Sequence, residues 1–316
     1  MHVDTIEVDS ETLSARKEVK TESVDFNTPA KALQVGKLRG SETVSPLARV
    51  VAEIYTPVDA AALRNSQAGS DVVTKKLGSQ SGNAEDDEFV VPFIQYDDTA
   101  TLTPENAAEM AKLETNYGDI LTVPLMSSLV RAAENGDDRT SEHVSAIIEN
   151  TRVYLDAVED LGITKPVMGV IPPISEDCTI ALLDMYSERD LNAYCVDFNR
   201  RSPMAQFQID EIVNPLMGIL TTYGNRESSL IYSVNARNSR SGIDGRRTPD
   251  RMYSYTLGFD VVGDNHISPN WPEEVFEKIA QETEDEEIKL RLFDADDLSV
   301  AEVPVSELDS FIPDEA

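Results

Sequence analysis

From residue 89 onward, short apolar runs alternate with longer amphipathic stretches. The apolar runs predict strands at FVVPFIQ (89–95), ILTVPLM (120–126), PVMGVI (166–171), NAYCV (192–196), SLIYSV (229–234) and GFDVV (258–262). The stretches between them predict helices at 104–116, 141–161, 176–187, 206–223 and 249–257. Strands that alternate with helices form parallel sheets. This many repeats favours a closed (β/α)8 TIM-type barrel, with an open doubly wound sheet as the alternative.

The flanking segments follow other patterns. Alternating polar and apolar residues in VDTIEVDS and EVKTESVDF predict an N-terminal β-hairpin, whereas 44–64 reads as a helix and the Ser/Gly/Asn-rich stretch 65–88 as a mobile loop. The C-terminal segment is strongly acidic, with one possible strand at KLRLF (289–293). The predicted division is a hairpin extension over 1–40, a barrel over 41–271 and an acidic tail over 272–316.

The charge balance indicates the ionic conditions to which the protein is adapted. It holds 58 acidic against 27 basic residues, a formal net charge of -31, and 41% of its residues are hydrophobic, enough to bury a core. Such an acid-rich, lysine-poor composition resembles that of haloarchaeal proteins, whose self-repulsion is screened by molar salt. An acidic mimic of nucleic acid is the alternative.

Several classes of protein are disfavoured. Two cysteines, Cys178 and Cys195, cannot supply a four-cysteine zinc site, and the dinucleotide and P-loop glycine motifs are absent. We therefore expect no cofactor and no metal. No apolar run is long enough to span a membrane and no signal peptide is evident, so a cytoplasmic location is the default expectation.

Polar residues follow the predicted strands, where a barrel carries its chemistry. They are Asp97, Asp98, Asp197, Asn199, Arg200, Arg201, Asn235, Arg237, Asp260, Asp264 and His266. Any single aspartate here can equally be a helix cap or a turn residue. The prediction therefore depends on several such side chains converging.

Arginines are concentrated in one segment. Eight of the 17 arginines lie between Arg200 and Arg251, where only five acidic residues occur. The guanidinium fork binds phosphate or carboxylate through paired hydrogen bonds, which suggests anion or nucleic-acid binding. Pairing of each arginine with a neighbouring acid is the alternative.

In order and spacing, about residues 15–270 resemble the tRNA-guanine transglycosylases. The segments that carry the resemblance are ARKEVKTESVDFNTPAKALQVG, GDILTVPLM, KPVMGVIPPIS, DLNAYCVDFN, SLIYSVNAR and LGFDVVGDN. The chain departs from the family at several motifs: YDDT replaces an acidic-Ser-Gly-Gly turn, IPPIS replaces Gln-Gly-Gly, and the cysteine-rich zinc motif is missing. A DNA-acting 7-deazaguanine transglycosylase fits these departures better than the tRNA enzyme does.

The resemblance implies exchange of a guanine for a 7-deazaguanine in tRNA or DNA. Asp264 or Asp260 would be the nucleophile and Asp97 would manage the proton of the base. Backbone and substrate contacts would come from Asp197, Asn199, Arg200, Arg201, Asn235, Arg237 and Arg240. Two other functions stay open: a barrel enzyme acting on a small phosphorylated or carboxylated metabolite, and a non-catalytic barrel that binds nucleic acid or a protein.

Overall fold

Eight parallel strands form a sheet that closes into a barrel in the computed structural model of the chain. The structure describes residues 1–9, 14–38, 44, 49–69, 72–135, 140–237, 246–247, 249–267, 289–294 and 299–310. The barrel strands are β4 (Ala30–Gln34), β5 (Val51–Val58), β6 (Phe89–Tyr96), β7 (Leu121–Thr122), β8 (Val167–Ile171), β9 (Ala193–Asp197), β10 (Leu230–Val234) and β12 (Val261–Val262). Their order is β6-β5-β4-β12-β10-β9-β8-β7, and a parallel bridge between Gln95 and Leu125 joins the two ends. The predicted (β/α)8 class is confirmed.

The six predicted strands are all barrel strands, but the barrel starts earlier than residue 89. Its first strand is β4, which pairs in parallel with both β5 and β12. The barrel therefore begins before residue 89, where the regular alternation of apolar runs starts, and also before the predicted start at residue 41. Lys31, Gln34 and Glu53 interrupt the apolar runs of β4 and β5, so neither segment has the uniform apolar pattern of a buried parallel strand. This first barrel strand lies inside the residues 1–40 assigned to the hairpin extension.

Two predictions between residues 44 and 88 are wrong. The segment 44–64, predicted as a helix, contains β5, whose β-branched residues and Pro57 suit a strand better than a helix interior. The predicted loop 65–88 contains a helix, α2, over Val72–Ser81. Its buried residues Val73 and Leu77 lie one turn apart, which the surrounding Ser and Gly residues obscured in the sequence.

The remaining helices include all five that were predicted after residue 89, together with α1 and α4. They are α1 (Ala60–Gln67), α3 (Pro104–Tyr117), α4 (Ser127–Asn135), α5 (Thr140–Asp160), α6 (Glu176–Ser187), α7 (Gln206–Gln208), α8 (Asn214–Thr222) and α9 (Asp250–Tyr253), with a π-helical turn at Ile209–Val213 and 3₁₀ turns at Val35–Lys37, Arg226–Ser228, Ser254–Leu257 and Val305–Ser310. Side-chain caps fix several starts. Thr103 accepts a hydrogen bond from the Asn106 N–H before α3, and Ser175 accepts one from the Cys178 N–H before α6.

A three-stranded antiparallel sheet precedes the barrel and contacts its N-terminal end, which we call the floor. It consists of β1 (His2–Val8), β2 (Ala15–Lys20) and β3 (Asp25–Asn27), and it confirms the predicted hairpin. Lys17 of β2 reaches into the floor. Its ammonium donates to the carbonyl oxygens of Arg226 (3.0 Å) and Ser229 (2.7 Å) and to Asp260 Oδ2 (2.9 Å). The lysine and Asp260 side chains are only 2% and 1% exposed, so the ion pair is buried.

The described part of the C-terminal segment forms a second small sheet. It pairs β14 (Ser299–Pro304) with β13 (Lys289–Asp294) on one side and with β11 (Arg246–Arg247) on the other. The predicted strand KLRLF is therefore confirmed. Most of the acidic tail lies outside the described residues.

Candidate active site at the barrel mouth

The C-terminal ends of the barrel strands, which we call the mouth, bring several predicted residues together. The ends of β9, β10 and β12 are joined by backbone hydrogen bonds from the Arg200 N–H to the Asn235 carbonyl (2.8 Å) and from the Asn235 N–H to the Asp264 carbonyl (3.0 Å). Asn199, Arg200 and Asn235 have φ values of 44°, 64° and 56°. Left-handed backbone at non-glycine residues is strained and concentrates at functional sites.

Asp197, the last residue of β9, is held by two donors. The Asn235 side chain donates Nδ2 to its Oδ1 at 2.8 Å, and the Asn199 N–H donates to the same oxygen at 2.9 Å. Burial raises the pKa of Asp197, and these two hydrogen bonds offset the effect only in part. The pKa of this carboxyl group therefore lies above its ordinary value.

The pKa of Asp264, which follows β12, is shifted in the opposite direction. Its Oδ1 lies 3.0 Å from Nη2 of Arg251, which also donates to the Gly263 carbonyl at 2.7 Å. Burial opposes ionisation of Asp264, but the Lys31 ammonium and the Arg251 guanidinium more than offset it, so the pKa lies below its ordinary value. Asp264 is therefore an ionised carboxylate, about one third exposed at the mouth.

Glu53 and His266 lie beneath Asp264 in the barrel interior, and both side chains are fully buried. Glu53 accepts hydrogen bonds from the Tyr232 hydroxyl and the Asp264 N–H (2.9 Å), and its Oε2 is 3.0 Å from His266 Nε2. Burial would raise the pKa of Glu53, but His266 and the other partners reverse the shift and lower it. Glu53 thus fixes the backbone of Asp264 from across the barrel.

Gly263 is required by this close approach. A Cβ atom there would lie 2.3 Å from Glu53 Oε1 and 2.7 Å from the Ser233 carbonyl oxygen. The Gly263 N–H also donates to that carbonyl at 2.6 Å. The glycine therefore lets the chain between β12 and Asp264 pass directly over the buried carboxylate.

Tyr55 covers the interior pair from the mouth side. Its ring stacks on His266 with centroids 4.7 Å apart and planes at 12°, and its hydroxyl donates to Gln95 Oε1 at 2.8 Å. Burial raises the pKa of Tyr55, and the charges of Asp97 and Asp197 raise it further. The phenol is therefore close enough to both carboxylates for their charges to act on it.

Asp97 and Asp98 occupy the outer part of the mouth. Asp97 is exposed and accepts a hydrogen bond from the Ser128 hydroxyl at the start of α4. Asp98 Oδ1 accepts the Ala100 N–H at 3.0 Å and so shapes the turn after β6. Asp97 can reach a ligand, whereas Asp98 has a local structural role.

Asp260 does not join this group, because it precedes β12 and lies in the floor beside Lys17. Burial raises the pKa of Asp260 to about 6, although the Lys17 ammonium opposes the shift. Its Oδ2 also accepts the Ile231 N–H at 2.7 Å. Asp260 therefore fastens the N-terminal sheet to the barrel, at the end opposite Asp264.

The arginines of this segment that the structure describes lie in different surroundings. Arg201 pairs with Glu134 and donates to the Pro173 carbonyl at 2.9 Å, while Arg251 pairs with Asp264. Arg226 lies in the floor, where its carbonyl accepts the Lys17 ammonium. The backbones of Arg200 and Arg237 hold the mouth loops together, the latter through its N–H to the Arg201 carbonyl at 3.0 Å. The predicted contact residue Arg240 lies outside the described residues.

Sequence reasoning missed Glu53, Tyr55 and Lys31. The first two lie on β5, which was predicted as a helix, and Lys31 lies on β4, which was assigned to the hairpin extension. A glutamate inside the apolar run VVAEIYTPV was the available signal, since a lone acid within a buried strand needs partners. His266 was noticed but given no role. Its Nδ1 is buried and has no hydrogen-bond partner among the described residues.

The described residues also lack two further kinds of feature. They contain no group of three or more His, Cys, Asp or Glu side chains that could hold a metal ion, and both cysteines are free and buried. In the same part of the chain, no helix combines the length and apolar character needed to cross a membrane.

Comparison with known proteins shows a weak structural similarity. No protein-family model matches the chain, and no curated protein matches it. The chain is similar to the solved GH53 catalytic domain of Ignisphaera aggregans, at 9% identity and a TM-score of 0.34. The match covers 66% of this chain and 64% of that one, so the chain spans less than two thirds of that structure's length.

Proposed function

We propose that the chain is a barrel enzyme that transfers a glycosyl group with two carboxyl groups at its mouth. The observation that carries the proposal is the position of Asp197 and Asp264 at the ends of neighbouring segments of the mouth, and the opposite directions of their pKa shifts agree with it. Two carboxyl groups with diverging pKa values mark an acid and a nucleophile in glycosyl transfer. Asn235 links them, because its side chain binds Asp197 and its N–H binds the Asp264 carbonyl.

The chemistry runs in two steps. The Asp264 carboxylate attacks the anomeric carbon, the bond from that carbon to the leaving group breaks, and Asp197 donates its proton to the leaving group. The acceptor then gives its proton to Asp197 and attacks the same carbon, which releases Asp264. No redox partner is needed, and both aspartates return to their starting states.

Base exchange on tRNA or DNA is the finer form of this proposal. It is supported by the order of segments shared with the transglycosylases and by Asp264, which the resemblance named as a nucleophile. It requires one change of role: Asp197 takes the proton-handling part first given to Asp97, because Asp97 is exposed and bound to Ser128.

A small anionic substrate is the second candidate. It is favoured by the arginine pairs Arg201–Glu134 and Arg251–Asp264, since arginines committed to neighbouring acids leave less charge to follow a long nucleic-acid backbone. In this candidate the same two aspartates act on a compact glycoside or nucleoside phosphate.

Trapping of the covalent intermediate tests the proposal. The protein is incubated with activated aryl glycosides, with nucleosides and with guanine-labelled tRNA or DNA, and its peptides are analysed by mass spectrometry. We expect a glycosyl adduct on Asp264 that is absent in Asp264→Asn. The adduct should accumulate in Asp197→Asn when the leaving group needs no proton, because the second step then lacks its base. No adduct with any donor, or an adduct that persists in Asp264→Asn, would refute the assignment.

A further inference from the structure

The side chain of Glu53 holds the turn between Gly263 and His266 at both Asp264 and His266. Its two carboxylate oxygens accept the Asp264 N–H at 3.2 and 2.9 Å, and its Oε2 lies 3.0 Å from His266 Nε2. Glu53 belongs to β5, whereas the turn follows β12, and β4 lies between these strands in the sheet. The carboxylate therefore reaches past one strand to fix the residues on either side of Asn265.

Glu53 is too deeply buried to touch a substrate. Its side chain and that of His266 are fully buried in the barrel interior. Asp264, about one third exposed, is the member of this group that reaches the mouth. Any part that Glu53 and His266 take in a reaction must therefore act through the position of Asp264.

A second buried glutamate shows what the imidazole adds. Glu114 is also fully buried, and like Glu53 it accepts hydrogen bonds from a tyrosine hydroxyl and a backbone N–H, here those of Tyr154 and Thr122. Burial raises the pKa of Glu114 to about 8. Burial acts on Glu53 in the same direction, but His266 and further partners outweigh it, so the pKa of Glu53 lies below its ordinary value. The group that holds the Asp264 N–H is therefore an ionised carboxylate.

Stability alone is a weak reason for such a carboxylate. A charge buried in a barrel interior costs free energy, and apolar residues of the same volume commonly serve a core as well as a buried charged pair does. Reacting groups, in contrast, must be held within about 0.5 Å of their productive geometry, and buried hydrogen bonds from a rigid strand give that precision. Glu53 lies within β5, which is paired with β4 on one edge and β6 on the other. Its placement fits a positioning role.

We propose that Glu53 and His266 are positioning residues for Asp264, which they hold so that its carboxylate faces the substrate at the mouth. The inference rests on the proposed function, because that function makes Asp264 the nucleophile. Asn235 adds a link to the acid, since it accepts the His266 N–H at 2.8 Å and binds Asp197. Loosening this unit would move the nucleophile relative to the acid, and it would lower the rate of attack rather than the affinity for substrate.

Variants of matched shape test the positioning role. Glu53→Leu removes both contacts, whereas Glu53→Gln keeps an oxygen that can accept the Asp264 N–H. His266→Phe keeps an aromatic ring in the same stack but removes both nitrogen atoms. Glu114→Leu is the matched control, because it removes a buried glutamate whose hydrogen-bond partners lie on β7 and α5. Circular dichroism and thermal melts establish that each variant is folded and how far it is destabilised.

The first readout is the rate of adduct formation on Asp264, measured against the concentration of an activated aryl glycoside. We expect Glu53→Leu to lower the maximal rate about 100-fold, because misplacing a reacting group by about 1 Å can cost that much. The half-saturating concentration should stay the same. Glu53→Gln should recover most of the rate, and His266→Phe should fall between the two. Glu114→Leu should react at the unmodified rate even where its melting temperature falls as far.

The second readout, hydrogen exchange of the Asp264 amide by NMR, needs no turnover. Loss of its acceptor in Glu53→Leu should speed exchange of this amide about tenfold, and Glu53→Gln should have a smaller effect. The Ile231 amide, which is bound to Asp260 in the floor, is the reference for opening of the whole barrel. Faster exchange at Asp264 than at this reference reports loosening of the turn.

The outcomes separate this proposal from the proposed function. Faster exchange at Asp264 together with a slower adduct supports positioning. An unchanged adduct rate in folded Glu53→Leu, or an equal loss in Glu114→Leu, refutes the positioning role and leaves glycosyl transfer in place. If the unmodified protein forms no adduct with any donor, glycosyl transfer fails, and exchange alone decides whether Glu53 and His266 hold Asp264. If Glu53→Leu does not fold, Glu53→Gln and His266→Phe carry the same test.

Discussion

Asn235 holds Asp197 in place by donating Nδ2 to its Oδ1 over 2.8 Å. The same side chain accepts the His266 N–H at 2.8 Å through Oδ1, so one amide bridges the ends of β9 and β12 from the strand between them. Asn235 is fully buried and adopts a left-handed backbone conformation. The acid and the nucleophile of the proposed reaction therefore depend on one asparagine that contacts both of their loops.

Replacing Asn235 should separate its hydrogen bonds from its backbone conformation. Asn235→Gly tolerates the positive φ but loses both side-chain hydrogen bonds, whereas Asn235→Ala loses the bonds and strains the backbone. We expect Asn235→Ala to lower the free energy of unfolding by about 3 kcal/mol. The loss in Asn235→Gly should be smaller, at about 2 kcal/mol, because glycine adopts the positive φ without strain. Guanidinium denaturation at constant salt measures both. Equal losses would mean that the left-handed conformation carries no strain.

A buried carboxyl group outside the site should make stability depend on pH. Glu114 of α3 accepts hydrogen bonds from the Tyr154 hydroxyl and from Thr122 Oγ1 (3.0 Å), and burial raises its pKa to about 8. The folded state therefore holds a proton that the unfolded state releases near its ordinary pKa of 4.5. Stability is fully present below that value and is lost as pH rises toward 8, by on the order of 3 kcal/mol between pH 5 and 8.

Glu114→Gln should remove that dependence, because an amide of the same shape does not titrate. The free energy of unfolding of this variant, measured at pH 5 and 8, should change less than that of the unmodified protein. Glu105→Gln is the control, since Glu105 is exposed on the same helix. A pH profile identical in both variants would contradict the assignment of a buried, protonated glutamate.

The floor ion pair should behave as a unit. Lys17→Met leaves Asp260 buried without its cation, and we expect a loss of about 4 kcal/mol at pH 8. The loss should shrink at pH 5, because protonation removes the uncompensated charge of Asp260, whose pKa is already raised to about 6 beside Lys17. The double variant Lys17→Met/Asp260→Asn should recover part of the stability. Thermal melts of the four proteins complete the cycle, and purely additive losses would argue against coupling.

Salt should control folding of the whole chain. The formal net charge is -31, so removing screening ions raises the electrostatic free energy of the folded state. We expect the protein to unfold as KCl falls below ~0.5 M. Melting temperatures recorded across a KCl series test this, and values that do not change with salt would remove the argument for a halophilic protein.

The sequence predicted the later part of the barrel well because those strands are buried on both faces. FVVPFIQ, SLIYSV and their counterparts have uniformly apolar residues, which is the pattern of a parallel strand under helices. The first two strands were missed for the opposite reason. Lys31 and Glu53 carry charges that only partners on other strands make tolerable, and those partners could not be seen along the chain.

Some of the candidate site residues could also be predicted, because they lie at the ends of strands that the sequence shows clearly. Asp197, Asn235 and Asp264 follow recognisable strands, and the structure joins them at the mouth. Asp260 was grouped with Asp264 because only three residues separate them, yet β12 lies between the two and carries them to opposite ends of the barrel. Because β12 has only two residues, an error of a few residues in its start changes which end an aspartate occupies.

The pairing of β4 has a consequence for how the chain is made. This strand lies between β5 and β12, so one of its edges has its native partner early in synthesis and the other has none until Val261 and Val262 leave the ribosome. Lys17 likewise has no carboxylate partner until this stretch is synthesised, because Asp260 immediately precedes those valines. An unpaired strand edge invites association with other chains. The nascent protein is therefore most vulnerable to aggregation during the interval between its first and last barrel strands, and closure of the barrel must come late.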